Sequence, residues 1–461
     1  MLSALDFLVE RFAAAADAPA MIWHDRACSY AWLLEALAGW RRRLAAAALV
    51  AGDVVVLTAD FSPHSTAALL ALWERGCIVV PISVAVAGQR AELLATAEAD
   101  AEITITADDG VEVARRTRPA ERPALYRGLA AAGSPGLVLF SSGSSGKAKG
   151  IVHDAGRLLA KFKTPRPARR MIAFLSFDHI GGINTLLHVL ANGGAVVTVA
   201  NRQPATVCAA IERHGVRILP TSPTFLNLLL LSGALDVHPL AGLETITYGT
   251  EVMPEATLAR LHARLPHVTL QQTYGMSEVG ILRARSESSE SLWVRIGGEG
   301  VETRVRGGLL EIRSQSAMVG YLNAPSPFTD DGWLMTGDVV DERDGYLRIH
   351  GRQSEQINVG GEKVFPAEIE DVLLRLDGVV DAAVHGEPHA ILGHIVVATV
   401  QLAGDEPLAA FRKRMTAFCR DRLQAFKIPQ KVLLAKGPLA GDRGKKRRGP
   451  PVEAEPRRSG E

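Results

Sequence analysis

The sequence predicts an α/β fold in which a largely parallel sheet is covered by helices. Three observations carry this expectation. Short apolar, strand-like runs alternate with segments of helical periodicity; Gly and Pro punctuate the junctions; and 461 residues suffice for two or more domains with a large core. In sheets of this kind ligands sit beyond the carboxyl ends of the strands, so the loops that follow strands are where chemistry is sought.

In chain order, Ala31 to Leu49 carries apolar and basic residues at helical spacing, and Gly52-Asp53 turns into the buried strand Val54 to Leu57. His64 to Arg75 reads as a helix and Cys77 to Pro81 as a strand. Residues 101–135 mix charge, glycine and proline with weak periodicity, which predicts a surface excursion. Leu137 to Phe140 is a buried strand by its apolar run, and Ala205 to His214 followed by Val216 to Leu219 repeats the helix-strand pattern. Asp344-Gly345 predicts the turn of a hairpin. Pro366, with Glu368 and Glu370 close behind, predicts a helix start. Gly441 to Glu461 is rich in Gly, Pro and charge, with Lys445-Lys446-Arg447-Arg448 at its centre, and reads by composition as a solvated tail.

Composition narrows the function classes. Apolar residues are 47%, charged residues 22%, and the net charge is +1, which points away from nucleic acid and membrane surfaces. Cys28, Cys77, Cys208 and Cys419 are far apart and form no Cys-x-x-Cys pair, so they are expected as reduced core residues. The start has no basic segment and no signal peptide, and no run reaches roughly 18 apolar residues; a cytoplasmic protein is expected.

The stretch Ser141-Ser142-Gly143-Ser144-Ser145-Gly146-Lys147-Ala148-Lys149-Gly150 follows a strand. Glycines admit close backbone approach, and free amides, hydroxyls and an ammonium suit a triphosphate. The spacing is not that of the common P-loop. Further on, Gln271-Gln272-Thr273-Tyr274-Gly275-Met276-Ser277-Glu278 sets an aromatic beside a glycine, then a hydroxyl and a carboxylate, a pattern able to flank a purine and hold a hard cation. Thr336-Gly337-Asp338 and Gly351-Arg352 offer a carboxylate for ribose hydroxyls and a guanidinium for ribose and phosphate oxygens.

Together these motifs resemble those of the adenylate-forming superfamily of acyl- and aryl-CoA synthetases, adenylation domains and luciferases, over about Ala31 to Arg448. Ala148 stands where relatives usually carry proline, and Ser277 where they carry threonine. The resemblance implies a large N-terminal domain of helix-covered mixed sheets, residues 1–352, and a small mobile α+β C-terminal domain, residues 353–461. It implies ATP and Mg²⁺ as cofactors. Ser142, Gly143, Ser144, Ser145, Gly146 and Lys149 would hold the phosphates, Tyr274 would lie against the adenine, Ser277 would belong to the ATP site, Glu278 would hold Mg²⁺, and Asp338 and Arg352 would take the ribose. Ser354 falls at the hinge, where relatives usually carry Asp or Lys.

Gly444-Lys445-Lys446-Arg447-Arg448 resembles the terminal Gly-Lys-x-x-Arg of the family, whose lysine joins the substrate carboxylate to the nucleotide. Lys445 fits, and Lys446 is an alternative; the resemblance revises the tail reading, so that part of this segment is expected to order over the active site when substrate is bound. By the same resemblance His179, the stretch Tyr248-Gly249-Thr250-Glu251, Gly275 and Met276 wall the acid pocket. The implied reaction activates an aryl or short acyl acid as acyl-AMP and passes it to coenzyme A or a carrier-protein phosphopantetheine. An amino-acid adenylation protein is the alternative enzyme, aligned through Phe177-Asp178, and a non-catalytic nucleotide-binding regulator the alternative from another class.

Overall fold

The computed structural model describes residues 4–116, 121–142, 147–437, 439 and 446. Among these, the chain forms two seven-stranded sheets, a six-stranded antiparallel sheet, a two-stranded hairpin and, from Ile357 onward, a five-stranded sheet.

One seven-stranded sheet has the parallel strands Val54–Thr58, Ile78–Ile82, Ala101–Ile105 and Gly136–Ser142 at its centre, the first two buried on both faces as their continuous apolar runs require. The helix Pro63–Glu74 lies against it and is buried almost all round, matching its apolar sequence. Its start is fixed by a capping box, in which the Ser62 side chain accepts from the Ser65 amide and the Ser65 hydroxyl from the Ser62 amide. The helix Tyr30–Ala46 is capped by Ser29 and ends earlier than its periodicity suggests, because Ala48 turns left-handed at φ 52°. The region 101–135 is not a surface excursion. Ala101–Ile105 pairs with Val54–Thr58, its alternate residues buried, and Val111–Arg115 closes the edge as the second arm of a hairpin.

The other seven-stranded sheet sets Arg170–Ile172, Ile218–Thr221, Thr245–Tyr248 and Thr269–Gln272 parallel. The segments after these strands leave from one edge, which gathers the loop 173–179, Ser222, residues 249–251 and Thr273-Tyr274 along that edge. The six-stranded sheet contains the hairpin Leu334–Arg343 and Tyr346–Arg352, whose turn residues Asp344 and Gly345 both have positive φ, as a tight two-residue connection demands. The last sheet packs the helices Pro366–Leu374 and Leu408–Arg420 against strands Val379–His389 and Gly393–Leu402 around a separate core. The four cysteines are free, three of them buried, and no helix among the described residues is long and apolar enough to cross a membrane.

Candidate active site

Two strands bring the motifs together. Ala148–Asp154 continues from the Ser/Gly stretch and pairs back on Gly136–Ser142, with Ser142 opposite Ala148. On its other edge it takes Gly320–Tyr321, so that Tyr321 lies opposite Ile151. The Tyr321 hydroxyl donates to Glu278 Oε1 at 2.7 Å, and the Lys149 ammonium lies 5.3 Å from the Tyr321 ring centroid. Asn323 ties the same corner, accepting from the Gly150 amide at 3.0 Å and donating to the Ala148 carbonyl at 2.8 Å.

Four residues before Glu278, Tyr274 donates its hydroxyl to Asp338 Oδ2 at 2.5 Å, and Arg352 Nε stands 3.5 Å from Asp338 Oδ1. Asp338 faces Arg352 directly across the hairpin. Burial, and then the Asp338 charge, pushes the Tyr274 phenol well above its ordinary value; burial raises the Asp338 carboxyl while Arg352 pulls it down. Lys149, Glu278, Tyr274, Asp338 and Arg352, spread over 204 residues from 149 to 352, therefore form one connected set through Tyr321 and the 274–278 turn.

That turn is held from behind. His153, wholly buried, bonds through Nε2 to the Ser277 carbonyl at 2.6 Å, and the Met318 amide donates to the Glu278 carbonyl at 2.7 Å. Burial holds the His153 imidazole at about 4, so it is neutral at working pH, with its Nε2 proton donated. The folded value lies below the ordinary 6.5, so below about pH 6.5 only the unfolded chain takes up this proton. Stability contributed by neutral His153 is complete above that pH and is lost progressively down to about pH 4, by roughly 3 kcal/mol. Urea titrations across this range are expected to show that loss, and His153→Gln to flatten it.

Of the residues expected to wall an acid pocket, His179, Gly249 and Thr250 follow the parallel strands described above, and Gly275 and Met276 lie in the separate hairpin with Gly280–Leu282. Thr273 donates its amide to the Tyr248 carbonyl at 2.7 Å, and a Cβ at Gly249 would come within 2.6 Å of Thr273 Oγ1, so only glycine lets these two loops touch. Thr250 is left-handed at φ 72°. Gly275 pairs with Ile281, and Met276 with Gly280. His179 ends the loop after Arg170–Ile172 and caps the helix Ile180–Ala191, its Nδ1 accepting from the Gly181 amide at 3.0 Å. Asp178 accepts from the Ser176 hydroxyl at 2.7 Å and lies within electrostatic reach of Arg202.

Gly143, Ser144, Ser145, Gly146 and Lys445 lie outside the described residues. Ser354 is exposed, in the short turn Gln353–Glu355 between the six-stranded and five-stranded sheets. Lys446 is not part of a solvated tail; its amide donates to Glu251 Oε1 at 2.6 Å and its ammonium to the Ala382 carbonyl at 2.7 Å. Sequence reasoning missed Tyr321, His153 and Asn323; it expected Glu251 in the wall of the acid pocket and did not foresee it as the acceptor of the Lys446 amide. His153 alone had a local signal, three residues beyond Gly150.

Among the described residues no three His, Cys, Asp or Glu side chains converge as a metal centre. Glu278, with Oε1 engaged by Tyr321, has a second carboxylate oxygen of the hard donor type that would fit Mg²⁺.

The family model for AMP-binding enzymes matches residues 8–306, and that for the AMP-binding enzyme C-terminal domain residues 368–440. The chain is 28% identical to 3-[(3aS,4S,7aS)-7a-methyl-1,5-dioxo-octahydro-1H-inden-4-yl]propanoyl:CoA ligase of Mycobacterium tuberculosis, over 93% of this chain and 94% of that protein. To the protein of the same description from Rhodococcus jostii it is 30% identical, over 64% of this chain and 60% of that protein's length. In fold it is similar to the anthranilate CoA ligase AuaEII in complex with anthranoyl-AMP, with TM-score 0.82, 20% identity, and coverage of 96% of this chain and 95% of that one. The o-succinylbenzoate CoA synthetase of Bacillus subtilis gives TM-score 0.75 at 20% identity, over 96% of each chain.

Proposed function

The chain belongs to the AMP-binding enzyme family, and from that premise we propose that it joins a carboxylic acid to a thiol in two steps at the expense of ATP. The observation that carries this reading is the connected set of Lys149, Glu278, Tyr274, Asp338 and Arg352, because a phosphate cation, a metal carboxylate and a ribose carboxylate are the groups one nucleotide requires.

In the first step a carboxylate oxygen of the acid attacks the α-phosphorus of ATP, a P–O bond forms, and the bond to pyrophosphate breaks. Two anions meet and a third leaves, so placement and charge neutralisation carry the catalysis. Lys149 and the 142–146 loop hold the departing phosphates; Asp338 and Arg352 fix the ribose; Tyr274 borders the adenine, with Ser277 in the same ATP site. Glu278 would hold Mg²⁺, which would supply positive charge to the phosphates. Lys445 bridges the acid and the nucleotide. In the second step a thiolate attacks the acyl carbon and AMP leaves with the electron pair.

The thiol is that of coenzyme A, as in the names of the relatives, or a carrier-protein phosphopantetheine. The domains divide near residue 352, and Ser354 is the hinge about which residues 353–461 turn between the steps. An aryl or short acyl acid fits better than an amino acid, since Asp178, the group that would anchor an amine, is already bonded to Ser176 and close to Arg202.

Pyrophosphate release measured across benzoates, short acyl acids and amino acids tests the proposal. Turnover with acids lacking an amine supports it; turnover with amino acids alone, or ATP binding with no acid-dependent release, overturns it. Asp338→Ala is expected to weaken ATP binding by roughly 10- to 150-fold, the worth of hydrogen bonds to a charged group, as read by calorimetry.

A further inference from the structure

Two buried carboxylates lie under the terminal segment. Glu370, on the helix Pro366–Leu374, is 2% exposed, and Asp381, in the strand Val379–His389, is 3% exposed. Such groups are costly to bury unless donors and a cation meet them. Backbone amides satisfy part of the need: Val384 donates to Glu370 Oε1 and Ala382 to Asp381 Oδ1, both at 2.9 Å. Lys446 supplies the charge. Its Nζ stands 3.1 Å from Asp381 Oδ1 and 3.8 Å from Glu370 Oε2, while donating to the Ala382 carbonyl.

These side-chain partners all belong to the five-stranded sheet and its helix. The backbone of Lys446 faces the other way, its amide bonded to Glu251, which continues the 248–250 loop of the acid pocket. The second Glu251 oxygen accepts from the Thr224 hydroxyl at 2.5 Å, so the receiving carboxylate is itself fixed. Thr224, Asn227, Glu251, Glu370, Asp381 and Lys446 line one cleft at this seam. The seam is also crossed by Asn227 Nδ2 to the Val380 carbonyl at 3.0 Å and by the Ala256 amide to Asp371 Oδ1 at 2.9 Å.

We propose that Lys446 is a positioning residue, anchored by Glu370 and Asp381 on one side and received by Glu251 on the other, that sets Lys445 for the adenylation step. The inference rests on the reading of Lys445 given above. Consecutive Cα atoms are about 3.8 Å apart, so an anchor at Lys446 confines the chain position of its neighbour Lys445. The Nζ contacts lie within the small domain and survive its rotation. The Glu251 contact does not, and it therefore marks the arrangement for acid activation.

Lys446→Met keeps the length and removes the charge. It is expected to lower kcat for acid-dependent pyrophosphate release by about 100-fold, the scale of a small misplacement at the reacting centre. KM for ATP and thioester formation from supplied acyl-adenylate are expected to stay within about twofold, and Lys446→Arg to restore most of the rate. Because two uncompensated acids can unfold the small domain, the triple variant Lys446→Met, Asp381→Asn, Glu370→Gln is measured alongside; it removes the buried charge and is expected to show the same split. Equal losses in both steps, or a triple variant at the parent rate while Lys445→Ala is inactive, overturn this inference and leave the ligase reading intact. If Lys445→Ala is without effect, the reading of that lysine falls and this inference with it.

Discussion

Replacing Lys445 by alanine is expected to cut acid-dependent pyrophosphate release by about 100- to 1,000-fold, the usual cost of deleting one charged donor aimed at a developing anion, while thioester formation from supplied acyl-adenylate persists. The split follows from where charge develops. In adenylation three anionic groups crowd the α-phosphorus and a cation between acid and nucleotide lowers the barrier, whereas attack by the thiolate on the acyl carbon needs no charge at that place. Stopped-flow measurement of each half-reaction separates the two. Equal loss in both would show that Lys445 supports the fold of the small domain and not the first step.

Glu278→Gln is the second large effect. The amide keeps an oxygen for the Tyr321 hydroxyl and so preserves the corner that Lys149, Tyr321 and Glu278 form. It removes the charge that a hard cation needs. Pyrophosphate release is expected to fall by about 100- to 1,000-fold, with the Mg²⁺ concentration for half-maximal rate rising several-fold. An unchanged Mg²⁺ dependence would exclude Glu278 as the metal carboxylate. Tyr321→Phe is expected to act in the same direction but less, by roughly 10- to 150-fold, since a hydrogen bond to a charged carboxylate is worth about 1.5–3 kcal/mol.

Much of the candidate site was legible because each piece is local. A Ser/Gly loop after a strand, an aromatic-glycine turn ending in a carboxylate and a Thr-Gly-Asp before a hairpin are contiguous, and the chemistry of each is readable within a few residues. The joints were not. Tyr321 reaches Glu278 across 43 residues, His153 reaches Ser277 across 124, and Lys446 reaches Glu251 across 195. No periodicity encodes such pairs. Residues 101–135 misled for a related reason: Ala101–Ile105 is short and only its alternate residues are buried, and the charged turn that follows hides its hairpin.

The basic run near the end shows the same division in one residue. By composition Lys446 belongs to a solvated stretch; in the fold it is buried against Glu370 and Asp381 because two carboxylates from distant segments need a cation.

By itself the sequence determined the α/β class, the order of the motifs and the kinds of group offered to a nucleotide, since apolar period and residue chemistry act along the chain. Only the tertiary structure decided which of those groups touch, which face of the terminal segment turns inward and what braces the Glu278 turn, because burial and charge pairing are set by neighbours in space.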